Sequence, residues 1–187
     1  MYKKYSLFFI VCFTGFGVLA QRPNIDPDRF KNSIFFGVSG GLNIPVKTLA
    51  ETNSLGYNAQ ADLRFFLRHN ISVDIDYAYN HFPHNESSQY KYVLHEVLIG
   101  GSFYFKSSWR PNISAGFGYF GNNQEGRFGF VLGAGIMKKL HERIYFTAKP
   151  SWILMDNTTF FKINAGLTFK IVSPPPPSKP IYYNRPQ

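Results

Sequence analysis

Cysteine is almost missing from this chain. Cys12 is the only one, which excludes a disulfide framework and a thiolate zinc site. Charge is sparse too: Asp, Glu, Lys and Arg make up 17% of the 187 residues, below the roughly 25% usual for soluble domains. No apolar run reaches the about 20 residues that a spanning helix needs, so a helical membrane bundle is excluded. What the chain has in quantity is aromatics, with 20 Phe, 12 Tyr and 2 Trp. A disordered polymer does not carry such a load. The mean hydropathy of −0.17 then implies that apolar and polar residues are interleaved rather than segregated. The length fits one domain with tails.

The N-terminus predicts export. Lys3 and Lys4 precede an apolar stretch of 14 residues, Leu7 to Ala20, which ends in Val18-Leu19-Ala20. A short positive region, a short apolar region and a small residue at the cleavage point make a secretory signal over residues 1–20. Its removal takes Cys12 with it and leaves 18 Lys and Arg against 11 Asp and Glu, a net +7. Residues 21–32 then read as a flexible lead-in. Residues 173–187, with four consecutive prolines at 174–177, read as a stiff extended tail.

From about Ser33 to Val172 the sequence alternates with period two, the mark of strands whose two faces meet different surroundings. Eight such runs occur. In the third, Ile71, Val73, Ile75, Tyr77 and Tyr79 oppose Ser72, Asp74, Asp76, Ala78 and Asn80. In the sixth, Phe128, Phe130, Leu132, Ala134 and Ile136 oppose Arg127, Gly129, Val131, Gly133 and Gly135. No segment sustains a helical period. Tight connectors (68–70, 106–110, 138–143) alternate with mostly longer or more polar ones (46–55, 81–89, 121–126). Together these predict an all-β, eight-stranded antiparallel up-and-down barrel over residues 33–172.

A soluble lipocalin-like barrel would give the same alternation with the opposite polarity. The polar face separates the two readings. It carries Asp62, Arg64, Asp74, Asp76, Glu96, Arg127, Lys149 and Lys162. Four acids meet four bases, as a closed lumen requires when unpaired buried charges are costly. The apolar face is rich in Phe, Tyr, Ile and Leu, which suits lipid and places the aromatic load outside. A transmembrane barrel is therefore expected. Pro150, inside the seventh strand, calls for a bulge or a rim position. Leu98, Val131 and Phe66, apolar on the polar face, point to shifts of register.

Export signal, long amphipathic strands and Gly-rich interiors such as Phe36-Gly37-Val38-Ser39-Gly40-Gly41 and Gly129-Phe130-Val131-Leu132-Gly133-Ala134-Gly135 resemble the small outer-membrane β-barrel family. That family includes the OmpA-like and OmpX-like transmembrane domains of Gram-negative bacteria. The resemblance implies an outer-membrane location, both termini in the periplasm, and folding by the outer-membrane assembly machinery.

Eight strands leave an interior just filled by side chains, so the eight charges are expected to form a salt-bridged plug rather than a wide pore. His81, His84, Glu86, Ser87 and Ser88 cluster in the third connector. Such residues ligate metals or build a Ser–His–acid set, but in an exposed loop they read first as plain polar surface. No cofactor or metal is expected. Basic residues gather at the short-turn rim, among them Arg68, Lys106 and Arg143. They fit lipid headgroups or an envelope protein partner, and no nucleic acid. The expected role is structural or interactive, with specificity in the loops at 46–56, 81–91 and 121–126 and no catalysis. A small-solute channel is the alternative, and a lipid-modifying enzyme the third.

Overall fold

The computed structural model describes residues 30–46, 48–84, 91–122, 125–156 and 158–172. The expected signal, most of the lead-in and the Pro-rich tail lie outside these residues. Eight strands follow in order: β1 (Ser33–Val46), β2 (Gly56–Arg68), β3 (Ile71–Pro83), β4 (Lys91–Tyr104), β5 (Pro111–Gly121), β6 (Gly126–His141), β7 (Ile144–Met155) and β8 (Thr158–Val172). A short helix, α1 (Thr48–Thr52), which the alternation did not suggest, lies in the first loop. Each strand pairs antiparallel with its sequence neighbour, and β1 closes on β8. Closure leaves no edge, so every strand finds partners for its N–H and C=O groups without water, the condition for crossing hydrocarbon. Strands of 11 to 16 residues meet or exceed the about 9–11 that a tilted spanning strand needs.

The faces are inverted relative to a soluble barrel. Val38, Leu42, Leu63, Ile75, Val97, Ile99, Phe117, Phe128, Phe130, Leu132 and Ile163 point outward and are exposed, while Asn43, Gln60, Asp74, Asn80, Glu96, Lys162 and Asn164 are buried inside. This matches a protein whose apolar surface meets lipid, and excludes the lipocalin-like polarity.

Leu98 and Val131 mark no slip of the alternation, and Phe66 lies in phase directly before one, at Phe66/Arg68. They are 5%, 5% and 1% exposed and point into the lumen in phase with their polar neighbours. Register shifts do occur, at Ile34/Phe35, Phe66/Arg68 and Lys139/His141, all near the short-turn rim. There the strand ends leave the regular ladder, as a β-bulge or similar irregularity makes them do. Pro150 needs neither a bulge nor a rim. Pairing between β6 and β7 keeps one register, Gly133 with Ser151 and Ile136 with Ala148, and lapses between those pairs. The missing N–H of Pro150 removes one ladder bond toward Ala134, while its pairing with Ile163 on β8 continues.

The interior is layered. At the long-loop end Leu49, Phe82, Leu94, Leu98, Phe120, Val131, Ile153, Met155 and Phe160 form one buried apolar cluster. At the short-turn end Phe30, Phe35, Phe66, Tyr104, Met137 and Tyr145 form another. Polar side chains fill the zone between. The expectation that the aromatics lie outside therefore holds for only part of them. The lead-in also needs correction at its end: Phe30 is fully buried in the barrel mouth, Asn32 N–H donates to the Phe66 carbonyl at 2.8 Å, and Ser33 N–H to that of Phe30 at 2.8 Å. Phe30 meets Phe35, Phe66 and Tyr145 with ring centroids 5.1, 4.9 and 5.6 Å away. Such aromatic pairs contribute about 0.5–1.5 kcal/mol each beyond area burial.

Candidate functional site

The polar middle layer is built by the inward parity of β1 to β5, β7 and β8. Glu96 on β4 accepts two hydrogen bonds from Lys162 Nζ on β8, at 2.7 and 2.9 Å, and a third from the Asn80 amide at 3.0 Å. The amides continue the chain of contacts: Asn43 Nδ2 donates to Asn80 Oδ1 at 3.2 Å, and Asn58 Nδ2 donates to Asn43 Oδ1 at 2.8 Å. Asn164 Nδ2 donates to Gln60 Oε1 at 2.6 Å, bridging β8 to β2.

A second group lies nearer the short turns. Arg64 grips Asp62 through Nε at 2.8 Å and Nη2 at 3.2 Å, and its Nη1 reaches the Met137 sulfur at 3.9 Å. Asp74 accepts hydroxyl hydrogen bonds from Ser72, at 2.6 Å, and from Ser102. Asp76 faces Lys149 Nζ at 3.8 Å. A cavity of about 20 Å³ lined by Asp74, Asp76, Ser114 and Lys149 has room for roughly one water. Glycine makes room for the side chains of the lumen. A Cβ at Gly37 would collide with the Asp62 carboxylate, and one at Gly118 with the Leu98 side chain.

Seven of the eight charges expected in the lumen lie in this layer, and Arg127 does not. It sits at the long-loop rim with its side chain 39% exposed, bonded to Glu125 at 2.6 Å and to the Asp156 carbonyl at 3.2 Å. This layer thus holds four acids and three bases rather than a balanced set. The surplus is absorbed by dipoles, since Asp74 is satisfied by two hydroxyls in place of a cation. Parity places a residue on a face, but it does not give its height along the barrel.

The third-connector cluster does not assemble as the spacing suggested. His81 belongs to β3, faces outward and stacks on Tyr57 with centroids 4.6 Å apart. His84 lies just past the strand, in an isolated bridge to Asn53 of the first loop. Glu86, Ser87 and Ser88 lie outside the described residues. Among the described residues no three His, Cys, Asp or Glu side chains gather to hold a metal.

Sequence reasoning missed a companion, His95, whose Nδ1 lies 2.8 Å from the Tyr77 hydroxyl and whose ring meets Tyr79 edge-on at 5.6 Å. Its signal was available, because His95 shares the outward parity of Val97 and Ile99. Tyr57, His81, Tyr77, Tyr79 and His95 form an outward belt of rings with polar tips on β2, β3 and β4, the chemistry of a membrane–water interface.

Electrostatics at the short-turn mouth centre on Arg110. Its guanidinium lies 3.7 Å from the Phe30 ring centroid and 5.7 Å from that of Tyr104. Its backbone holds φ at 38°, a left-handed conformation that costs a branched-Cβ-free but non-glycine residue about 1 kcal/mol or more. The strained turn aims the cation at the aromatic plug.

No protein-family profile matches the chain, and neither does any curated protein sequence. Solved structures do. Neisserial surface protein A is similar at 11% identity and a TM-score of 0.60, over 75% of this chain and 98% of that one. The outer membrane protein OprG of Pseudomonas aeruginosa is similar at 9% identity and a TM-score of 0.56, over 80% of this chain and all of that one. The N-terminal β-barrel domain of Pseudomonas aeruginosa OprF is similar at 14% identity and a TM-score of 0.53, over 75% and 98%. With a closed ring of eight antiparallel strands and an apolar exterior, the chain has the fold of the small eight-stranded outer-membrane β-barrels.

Proposed function

We propose that this chain is a sealed outer-membrane barrel of a Gram-negative bacterium, with both termini in the periplasm and a structural or interaction role in the envelope. It reaches the membrane through the export signal at 1–20 and the outer-membrane assembly machinery. It acts without catalysis, as a monomeric anchor for its loops, and those loops meet the envelope partner.

The observation that carries this reading is the double closure of the lumen. A solute entering from the long-loop side meets Leu49, Phe82 and Phe160, each at most 7% exposed. From the other side it meets Phe30, Phe35, Phe66 and Tyr145, also buried. Between the two lie ion pairs and amides, with water-sized voids. This geometry supports an anchor over the small-solute channel. Purified protein inserted in a planar bilayer is expected to give no conductance steps. Regular, voltage-stable openings from the wild-type chain, absent from protein-free controls, would overturn the reading in favour of a channel.

A further inference from the structure

The charge of the short-turn rim is predominantly positive. Lys31 ahead of β1, Arg68 at the end of β2, Lys106 after β4, Lys139 near the end of β6 and Arg143 before β7 are all exposed. Glu142 is the acid among the described residues of this rim. At the opposite rim the described residues Glu51, Glu125 and Asp156 offset Arg127 and Lys91, so the basic excess is confined to one end of the barrel.

These cations are placed beside hydrocarbon anchors. Leu67 precedes Arg68, Phe105 precedes Lys106, Leu140 follows Lys139, and Ile171 lies on the same rim; their exposures are 56%, 48%, 59% and 56%. A long basic side chain next to a lipid-facing apolar one keeps its stem in the apolar zone and its head in the polar one. Lys138 Nζ lies 4.1 Å over the Trp109 ring, a pairing suited to the headgroup level where Trp is enriched.

From this juxtaposition we infer that the short-turn rim is a collar that binds the phosphates of anionic glycerophospholipids in the adjacent leaflet. The collar draws on all three turns and the N-terminal side, so it encircles the barrel. A ring at the level of the apolar anchors matches a lipid annulus, whereas an acidic protein partner would need its cations gathered on one side. The inference rests on the membrane reading above, in the orientation proposed there, and names the lipid class of one leaflet.

The test uses the full chain, first shown to fold and insert in phosphatidylcholine vesicles by its heat-modifiable gel migration. Failure of that step counts against the membrane reading itself. Folded protein is then equilibrated in micelles with equal amounts of phosphatidylglycerol and phosphatidylcholine, and the retained lipids are counted by native mass spectrometry. Each basic side chain near an anionic surface contributes about fivefold to binding. The triple variant Arg68→Gln, Lys106→Gln, Arg143→Gln should therefore lose at least roughly tenfold of the phosphatidylglycerol preference at low salt, while Arg127→Gln at the other rim keeps it. No preference in the wild type, or an undiminished preference in the triple variant, overturns the collar. So does an oligoglutamate peptide that binds the rim more tightly than phosphatidylglycerol, which would assign the rim to an acidic protein.

Discussion

Removing the charge of Lys162 tests the interior network most directly. Its side chain is 2% exposed and that of Glu96 is 0%. In Lys162→Met the Glu96 carboxylate keeps only the Asn80 amide at 3.0 Å and remains shut away from water. Breaking a buried pair by deleting one partner costs about 3–5 kcal/mol, because the other charge stays uncompensated. Glu96→Gln strands the Lys162 ammonium in the same way and should cost a similar amount. The double variant Glu96→Gln, Lys162→Met removes both charges, and the new amide oxygen can still accept from Asn80. It should be more stable than either single variant, with a coupling energy of about 3 kcal/mol or more. Unfolding by urea in lipid vesicles, followed by the fluorescence of Trp109 and Trp152 together with the folded fraction on unboiled gels, measures all four proteins. Single costs that simply add, leaving a coupling under about 0.5 kcal/mol, would refute the assignment of Glu96 and Lys162 as a mutually dependent pair.

Two further outcomes follow from the packing. Phe30→Ala empties the short-turn plug and should lower stability by about 3–5 kcal/mol; the temperature of the heat-modifiable gel shift reads this, and an unchanged temperature would mean that Phe30 does not hold the mouth. Pro150→Ala supplies a donor facing Ala134, so the amide introduced at position 150 should be protected in hydrogen exchange like its ladder neighbours; rapid exchange there would show that the gap has a cause other than the missing N–H.

Much of the fold was legible because period two assigns each residue to a face with no knowledge of the loops. Asp62, Asp74 and Glu96 could be placed inside from parity alone, and Val97, Ile99 and Phe130 outside. Parity fails where height matters. Arg127 has the inward phase but lies one residue into β6, at the rim, where solvent and Glu125 take its charge. Phe66, Tyr104, Phe120 and Tyr145 also have the inward phase. Near a strand end that position is an apolar plug, while a few residues along the same face it is a carboxylate site. Phe30 lies before the alternation begins, so nothing local marked it as part of the barrel. Pro150 violated a local rule without a bulge, because losing one ladder bond is a smaller cost than displacing a whole strand.

The polar layer also constrains how this barrel can come into being. Lys162 and Glu96 are 66 residues apart in sequence, and Asn164 and Gln60 are 104 apart. A half-barrel of the first four strands would contain Asp62, Asp74, Asp76 and Glu96 with Arg64 as their one cation, and would face hydrocarbon with most of its acids uncompensated. The cations that answer them, Lys149 and Lys162, arrive only with β7 and β8. A partial barrel therefore carries an electrostatic cost that β7 and β8 remove. The ion pairs that fill the finished lumen thus favour the complete chain over a truncated one.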